Sequence, residues 1–255
     1  MELLQTLAVI GREFPISLIG HVCQRPHPLA LSRNEAGEGQ SELERLLNEL
    51  QLGEFIYEQP VSGDIEYIFK HALTQEVAYN SVLMERRQQL HERTGAALET
   101  LYAGSVEEHL AELAHHYGRS ANPGKAVEYL TRAGQQALNR SAFAEAQAQL
   151  QHGLEWIKKL SDSPERDARQ LELASTLAQV LLVTRGHSAP ETRAAAERAR
   201  DLAERSGNLA QLVVQLFGIW RSVNGSGDYS TAAGTSPSAR AAPRALASPA
   251  MLKCS

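Results

Sequence analysis

Leu3, Leu4, Leu7, Ala8 and Ile10 recur at intervals of three and four residues, the spacing that lines side chains along one face of an α-helix. Pro15 interrupts that stripe, and Ile16, Leu18, Ile19 and Val22 start another. The opening stretch therefore predicts two short helices broken at Gly11–Pro15. From Arg25 to Gln40 the pattern dissolves into Pro, Gly and polar residues, as in a surface loop or insertion. Ser41 opens a third helix, because Ser41 and Glu44 have the spacing of a capping box and Leu43, Leu46, Leu47 and Leu50 make a buried stripe. After Gly53 the period shortens to two. Phe55–Glu58 and Ile65–Phe69 predict the strands of a hairpin that turns near Ser62–Gly63.

Helical spacing returns at Ala72 and continues to Tyr102, predicting one long helix with Val77, Tyr79, Val82, Leu83, Leu90, Ala97, Leu98 and Leu101 on its apolar side. Its Arg86, Arg87 and Arg93 read as solvated charges paired with Glu85 and Glu92. Between residues 107 and 160, small residues recur where helices would touch. Ala126 and Ala133 are seven residues apart, as are Ala146 and Gly153, so each pair lies two turns apart on one face. Tyr129, Leu130, Leu138, Phe143, Leu150, Leu154 and Trp156 can fill the grooves beside those contacts. Leu171, Leu173, Leu177, Val180 and Leu181 then define a helix ended by Gly186, and Pro190 to Gly207 bounds its antiparallel partner. Leu209 begins one more. From Gly225 to Ser255, 22 of 31 residues are Gly, Ala, Ser, Thr or Pro, too few apolar groups to offset the entropy of ordering them. That stretch reads as a disordered tail. A frameshifted or truncated end would account for a helix pair that stops halfway.

Composition agrees with the periodicity. With 43% hydrophobic but only 5% aromatic residues, the apolar content is largely Ala and Leu, which favours a mainly α protein. No run of about 18 apolar residues exists to span a membrane. The first residues are acidic where a secretion signal would be basic, so a cytoplasmic protein is expected. Cys23 and Cys254, far apart in sequence, suggest neither a disulfide framework nor a metal cluster.

The residues now assembled carry a resemblance. KAVEYLTRA and AFAEAQAQLQHGLEWI resemble the second helix of a tetratricopeptide repeat, with Ala126 or Ala146 at the small mid-repeat position and Ala133 or Gly153 at the later one. Gly134 matches the small residue of a repeat's first helix. Ala126 and Ala146 are only 20 residues apart where the repeat period is about 34, so these repeats are degenerate and the helix near 125–140 serves two neighbours. Three helices followed by a two-stranded wing is the order of a winged helix. More widely, LLQTLAVIGREFP, ELERLLNELQLGEFIYEQP, IEYIFKHALTQEVAYNSVLMERRQQLHERTGAALE and LAHHYGRSANPGKAVEYLTRAGQQAL resemble the region that follows the ATPase module in bacterial signal-transduction ATPases. Members of that family often carry an adenylate/guanylate cyclase domain, a P-loop ATPase, a winged helix and tetratricopeptide repeats. The resemblance spans residues 1–222 and implies a C-terminal fragment lacking both catalytic domains. It also implies three parts: a winged-helix-like domain with its connecting helix over 1–103, repeat-like helices forming an α-solenoid over 104–224, and the tail over 225–255.

Candidate chemistry is sparse. The one near miss to a phosphate loop, Gly118 to Ala126, has five residues between its glycines instead of four and lacks the Ser or Thr that would hold magnesium; it reads as a turn between helices. His109, Glu112 and His116 share a helix face beside His115, yet no HExxH motif or Cys partner completes a zinc site. Packing at a repeat interface suits these histidines and Tyr117 better. The resemblance assigns a role to His71 alone: in related ATPases a histidine at the start of the helix after the wing reaches the bound nucleotide, and Lys70-His71-Ala72 matches that motif only at the histidine.

Charge separates two functions. Residues 1–60 hold four Arg and no Lys against nine acids, so the whole net charge of −5 resides there. The third helix, which would read a DNA groove, carries Glu42, Glu44, Glu49 and Glu54 against Arg45, a charge pattern that repels phosphate. The expectation is therefore a non-catalytic regulatory and docking module with no cofactor of its own. Its repeat residues Tyr117, Ala126, Tyr129, Ala133, Gly134, Phe143, Ala146, Leu150 and Gly153 would build a surface for a protein or peptide, and its wing would pack on the missing ATPase, which would bind ATP. The alternative is a DNA-binding fragment of a transcription regulator.

Overall fold

The computed structural model describes residues 1–23, 36–61 and 64–225. Among the described residues the chain is mainly helical with one small antiparallel sheet, and it divides into two compact units, Met1–Ala133 and Gly134–Ser255. No helix among these residues is long and apolar enough to cross a membrane. The tail expected over 225–255 lies, apart from Gly225, outside the described residues.

The first unit opens with α1 (Glu2–Ile10), β1 (Glu13–Pro15) and α2 (Ile16–Cys23). It continues with α3 (Ala36–Leu52), β2 (Ile56–Val61) and β3 (Asp64–Phe69). The expected break at Gly11–Pro15 is thus a strand. β1 pairs with β3, which also pairs with β2, giving the sheet order β1-β3-β2. What recruits so short a strand is Phe14: opposite Tyr67 and fully buried, it meets the Phe69 ring edge-on at a centroid distance of 5.6 Å. The hairpin register pairs Ile56 with Phe69 and Val61 with Asp64, so β2 runs past the expected Glu58. Its turn near Ser62–Gly63 lies outside the described residues.

Ser41 does not open α3. The helix starts five residues earlier, at Ala36, so Ser41 lies inside it and the expected loop is partly helical. Ala36, Glu38 and Gln40 are sound helix formers, and they extend the element beyond its leucine stripe.

The helix expected over 72–102 is two: α4 (Ala72–Asn80) and α5 (Met84–Leu101). At the break the Ser81 hydroxyl donates to the Ala78 carbonyl at 2.6 Å, and Leu83 turns extended with φ −58° and ψ 145°. Val82 is thereby drawn into the core against Val9 and Leu90, while Val77 and Leu83 face solvent instead of lining an apolar side. The arginines of this region do not pair as expected. Arg86 bridges to Glu2, Arg87 lies over the Tyr79 ring and donates to the Val82 carbonyl, and Arg93 donates to the Val22 carbonyl. They tie α5 to other elements and do not merely stay wet.

After a 3-10 turn (Val106–His109) come α6 (Leu110–Tyr117) and α7 (Pro123–Asn139), with the unit boundary between Ala133 and Gly134 of α7. The second unit continues through α8 (Phe143–Trp156), α9 (Pro164–Arg185), α10 (Pro190–Ser206) and α11 (Leu209–Gly225). α9 behaves as its pattern dictates: Leu171, Leu173, Leu177, Val180 and Leu181 are all buried, and the Ser163 hydroxyl caps its first turn by accepting from the Arg166 amide. The seam with α10 is made of Leu171, Ala174, Ala199, Leu202 and Ala203, with Leu212 of α11 against it. Its alanines let the backbones approach closely, and Gly207 closes α10 at φ 67°.

Candidate functional site

The resemblance singled out His71, and the structure places it at the N-terminal end of α4, exposed and with extended backbone. Its carbonyl accepts from the Thr74 amide, but its ring makes no capping hydrogen bond. Nearby apolar side chains also face solvent: Leu73 is 69% exposed, Val77 62%, Leu83 79% and Met84 76%. Leu73 and Val77 are four residues apart, hence on one face of α4.

The expected packing residues divide between the two units. In the first, Glu99 of α5 is a hub: its carboxylate accepts from the Tyr117 hydroxyl at 2.9 Å, the Lys125 ammonium at 2.7 Å and the Tyr129 hydroxyl. Burial pushes the Glu99 carboxyl up, but Lys125, Tyr129 and Tyr117 together outweigh it and hold it below the usual range. Tyr117 and Tyr129 stack at 5.2 Å, nearly parallel. Gly95 makes room for them, since a Cβ there would lie 2.8 Å from the Tyr117 ring. Ala126, Tyr129 and Ala133 of α7 are buried. In the second unit Gly134 lies against α8, where an added Cβ would meet Leu150 at 2.7 Å. Ala146, Leu150 and Gly153 are buried, and Phe143, at the start of α8, is half-buried.

The stretch from Gly118 to Ala126 is a turn between α6 and α7. Asn122 accepts from the Lys125 amide through its side chain and donates to Glu92, and the Lys125 ammonium is engaged by Glu99. The first of these caps α7, and the other two tie the turn to α5.

The histidines do not converge as a metal site. His109 stacks on Tyr102 at 3.7 Å and faces Glu112, whereas His116 turns inward. Among the described residues no group of three His, Cys, Asp or Glu side chains could hold a metal ion. His116 instead meets His91 of α5, Nδ1 to Nδ1 at 3.1 Å, while Nε2 of His91 lies 3.1 Å from the Tyr79 hydroxyl. The His116 ring also donates to the Ile10 backbone. Because a neutral imidazole carries one N–H, these contacts fix a directed chain. Tyr79 donates to His91, His91 donates to His116, and His116 donates to Ile10. Both rings are neutral in it. Desolvation, with His115, Arg119 and Arg87 nearby, lowers His91 to about 3, and burial lowers His116 well below its ordinary value. Sequence reasoning passed over His91, whose partner is 25 residues away.

The second unit contains a trough between α9 and α11, floored by α10. One section, about 540 Å³, is walled by Gln135, Ser175, Thr176, Gln179 and Gln215 over a floor that includes Ala196 and Ile219. The other, about 700 Å³, extends from Ser163 and Asp167 to Arg205 and Asn208. Glu172 and Gln211 belong to both. Volumes of this order are typical of ligand sites. Gln215 is only 6% exposed. The Ser175 hydroxyl is buried without a hydrogen-bond partner among the described residues. No sequence signal pointed to these residues, because glutamines on a helix ordinarily read as solvated surface.

No family model matches the chain, and no solved structure matches it. It is similar to an uncharacterized protein of Rhizobium meliloti (strain 1021), with 33% identity over 145 residues; the match covers 57% of this chain and 14% of that protein. The chain therefore spans a small part of that relative's length.

Proposed function

We propose that this chain is a non-catalytic regulatory and protein-interaction module of a larger signalling ATPase. The observation that carries the reading is the trough between α9 and α11, a long wall of hydrogen-bonding side chains that includes the buried Gln215 and the Ser175 hydroxyl, which has no hydrogen-bond partner among the described residues. Concave surfaces of stacked helices suit an extended partner. The helix pairs and their alanine seams support reading residues 104–224 as degenerate tetratricopeptide-like repeats.

The order helix, strand, helix, helix, strand, strand with sheet order β1-β3-β2 supports reading the first unit as a winged helix. Its role is packing against protein. The exposed apolar residues Leu73, Val77, Leu83 and Met84 supply the surface for an ATPase domain, and His71 beside them is the residue that would reach that domain's nucleotide. The length of the Rhizobium meliloti relative supports a setting among further domains.

The transcription-regulator reading is disfavoured by α3. Arg45 is held by Glu42 on one side and Glu49 on the other, so its charge is already engaged, and Glu44 of the same helix is exposed as well. Duplex affinity rests on neutralising phosphates, and each phosphate contact steepens its salt dependence. Gel-shift titrations of the full chain with duplex DNA, between about 50 and 200 mM salt, are expected to give no salt-dependent complex. The chain alone is also expected to leave ATP unhydrolysed. A steeply salt-sensitive complex would transfer the function to the DNA-binding alternative.

A further inference from the structure

We propose that a cleft of the first unit, lined by its sheet and by α6, takes an arginine side chain presented by a partner protein. The inference rests on the interaction-module reading and adds a second contact, of stated chemistry. The cleft has a volume of about 680 Å³, and all of its lining belongs to that unit. Ile10 of α1, Leu18 of α2 and Leu98 of α5 are buried beneath it and, with Pro15 of β1, make its base apolar. Carboxylates from three further points complete it: Glu13 of β1, Glu66 of β3 and Glu112 of α6.

The strand register explains why two of these carboxylates lie together. Glu13 opposes Ile68 and Pro15 opposes Glu66, so all four share one face of the sheet and the two glutamates are diagonal neighbours. Like charges so placed repel. The ion pairs among the described residues engage Glu112, through His109 at 3.4 Å, but leave Glu13 and Glu66 out. The other ionisable groups of the lining are imidazoles. Burial holds His115 and His116 neutral, and Arg119 is turned to the His115 ring, to which it donates at 3.1 Å. The field in the cleft is therefore negative, in the same part of the chain that carries the whole net charge. A divalent cation is not the matching ligand, since no three such side chains converge among the described residues. An arginine matches both parts of the cleft. Its stem covers apolar surface, and its planar guanidinium donates to two carboxylates at once. It also stacks on flat rings, which the Tyr102 and His109 pair supplies in the lining.

A disulfide-closed random peptide library, selected on the full chain and counter-selected on the double variant Glu13→Gln with Glu66→Gln, tests this. Enriched loops are expected to share an arginine beside an apolar residue and to bind less tightly as salt is added. Affinity of a labelled loop should fall at least about tenfold when its arginine becomes alanine, and again when the chain carries both glutamines. Lysine in place of that arginine should restore only part of the binding. Glutamine keeps the shape of each side chain and removes the repulsion, so the double variant should unfold at the same temperature as the wild type or higher, which separates lost binding from lost folding. Glu172→Gln, an exposed carboxylate of the second unit, should leave binding unchanged. Loops without a shared arginine, equal binding by the double variant, or no enriched loop would overturn the proposal while leaving an interaction module in place. Spermine bound as tightly as the best loop would overturn it too, by assigning the cleft to a free polyamine. The broader reading fails on different results, duplex binding or nucleotide turnover.

Discussion

Acidifying the full chain from about pH 7 to about pH 4 is expected to remove about 3 kcal/mol or more of the first unit's stability, beginning near pH 6.5. The cause is the neutral chain from Tyr79 through His91 and His116 to Ile10. A proton added to either ring places a positive charge in a desolvated site and breaks the direction of the chain, which the Tyr79 hydroxyl can re-pair only by turning from donor to acceptor. The surroundings mostly oppose the charge: Arg87 and Arg119 are positive and His115 is a third imidazole at the rim, while the Ile10 backbone alone favours it at His116. In the unfolded chain both histidines titrate at their ordinary value of 6.5. Below that value the unfolded state binds more protons than the folded state, so stability is full above it and is lost as pH falls toward the depressed folded value of about 3. Each pH unit in this window costs about 1.4 kcal/mol per histidine, a large share of the 5–15 kcal/mol typical of a domain. The Glu99 carboxyl acts in the same direction but only below its ordinary 4.5, so an early onset identifies the imidazoles. Six of the seven tyrosines lie in residues 1–133 and both tryptophans lie beyond them, so urea unfolding followed by tyrosine near-UV dichroism reports this unit. Substituting glutamine for both His91 and His116 should make the profile shallower between about pH 7 and 5, leaving the slope due to His115, which burial and Arg119 lower to about 4; a wild-type profile already flat there would refute the neutral chain.

Replacing Glu99 with alanine is expected to cost about 2–4 kcal/mol, because three donors lose one acceptor. Tyr117 and Tyr129 cannot turn elsewhere easily: their rings are stacked on each other, and the Tyr117 ring also lies hard against Gly95. Lys125 would keep only Glu128, at 3.7 Å. Glu99→Gln should fall between the two, since it retains an acceptor oxygen but not the charge that Lys125 requires. Thermal unfolding of the three proteins checks the order wild type, Gln, Ala. Equal midpoints for all three would show that the hub contributes nothing.

These two sites mark the limit of what the pattern of residues conveys. The helices α9 and α10 were legible because long apolar stripes, Pro190 and Gly207 all agree there. Strand β1 was not, since three residues cannot display a period and its pairing partner lies more than 50 residues away. The break between α4 and α5 was hidden by apolar residues that keep helical spacing across it without a Pro or Gly, while tertiary burial of Val82 decides the matter. The start of α3 was misplaced because Ser41 and Glu44 mimic a cap inside a longer helix. His91 and Glu99 gain their partners only when helices distant in sequence meet, and Gln215 is distinctive through burial alone.

As proposed, this chain offers surfaces to other proteins and performs no chemistry itself. Calorimetric titration of the full chain with a separately prepared P-loop ATPase domain, the partner implied for its parent, tests it most directly. A saturable complex is predicted, weakened at least about tenfold by Leu73→Asp with Val77→Asp, and retaining ADP less well when His71→Ala is introduced. Heat of binding that both aspartate substitutions leave untouched, or no complex at all, would contradict the account.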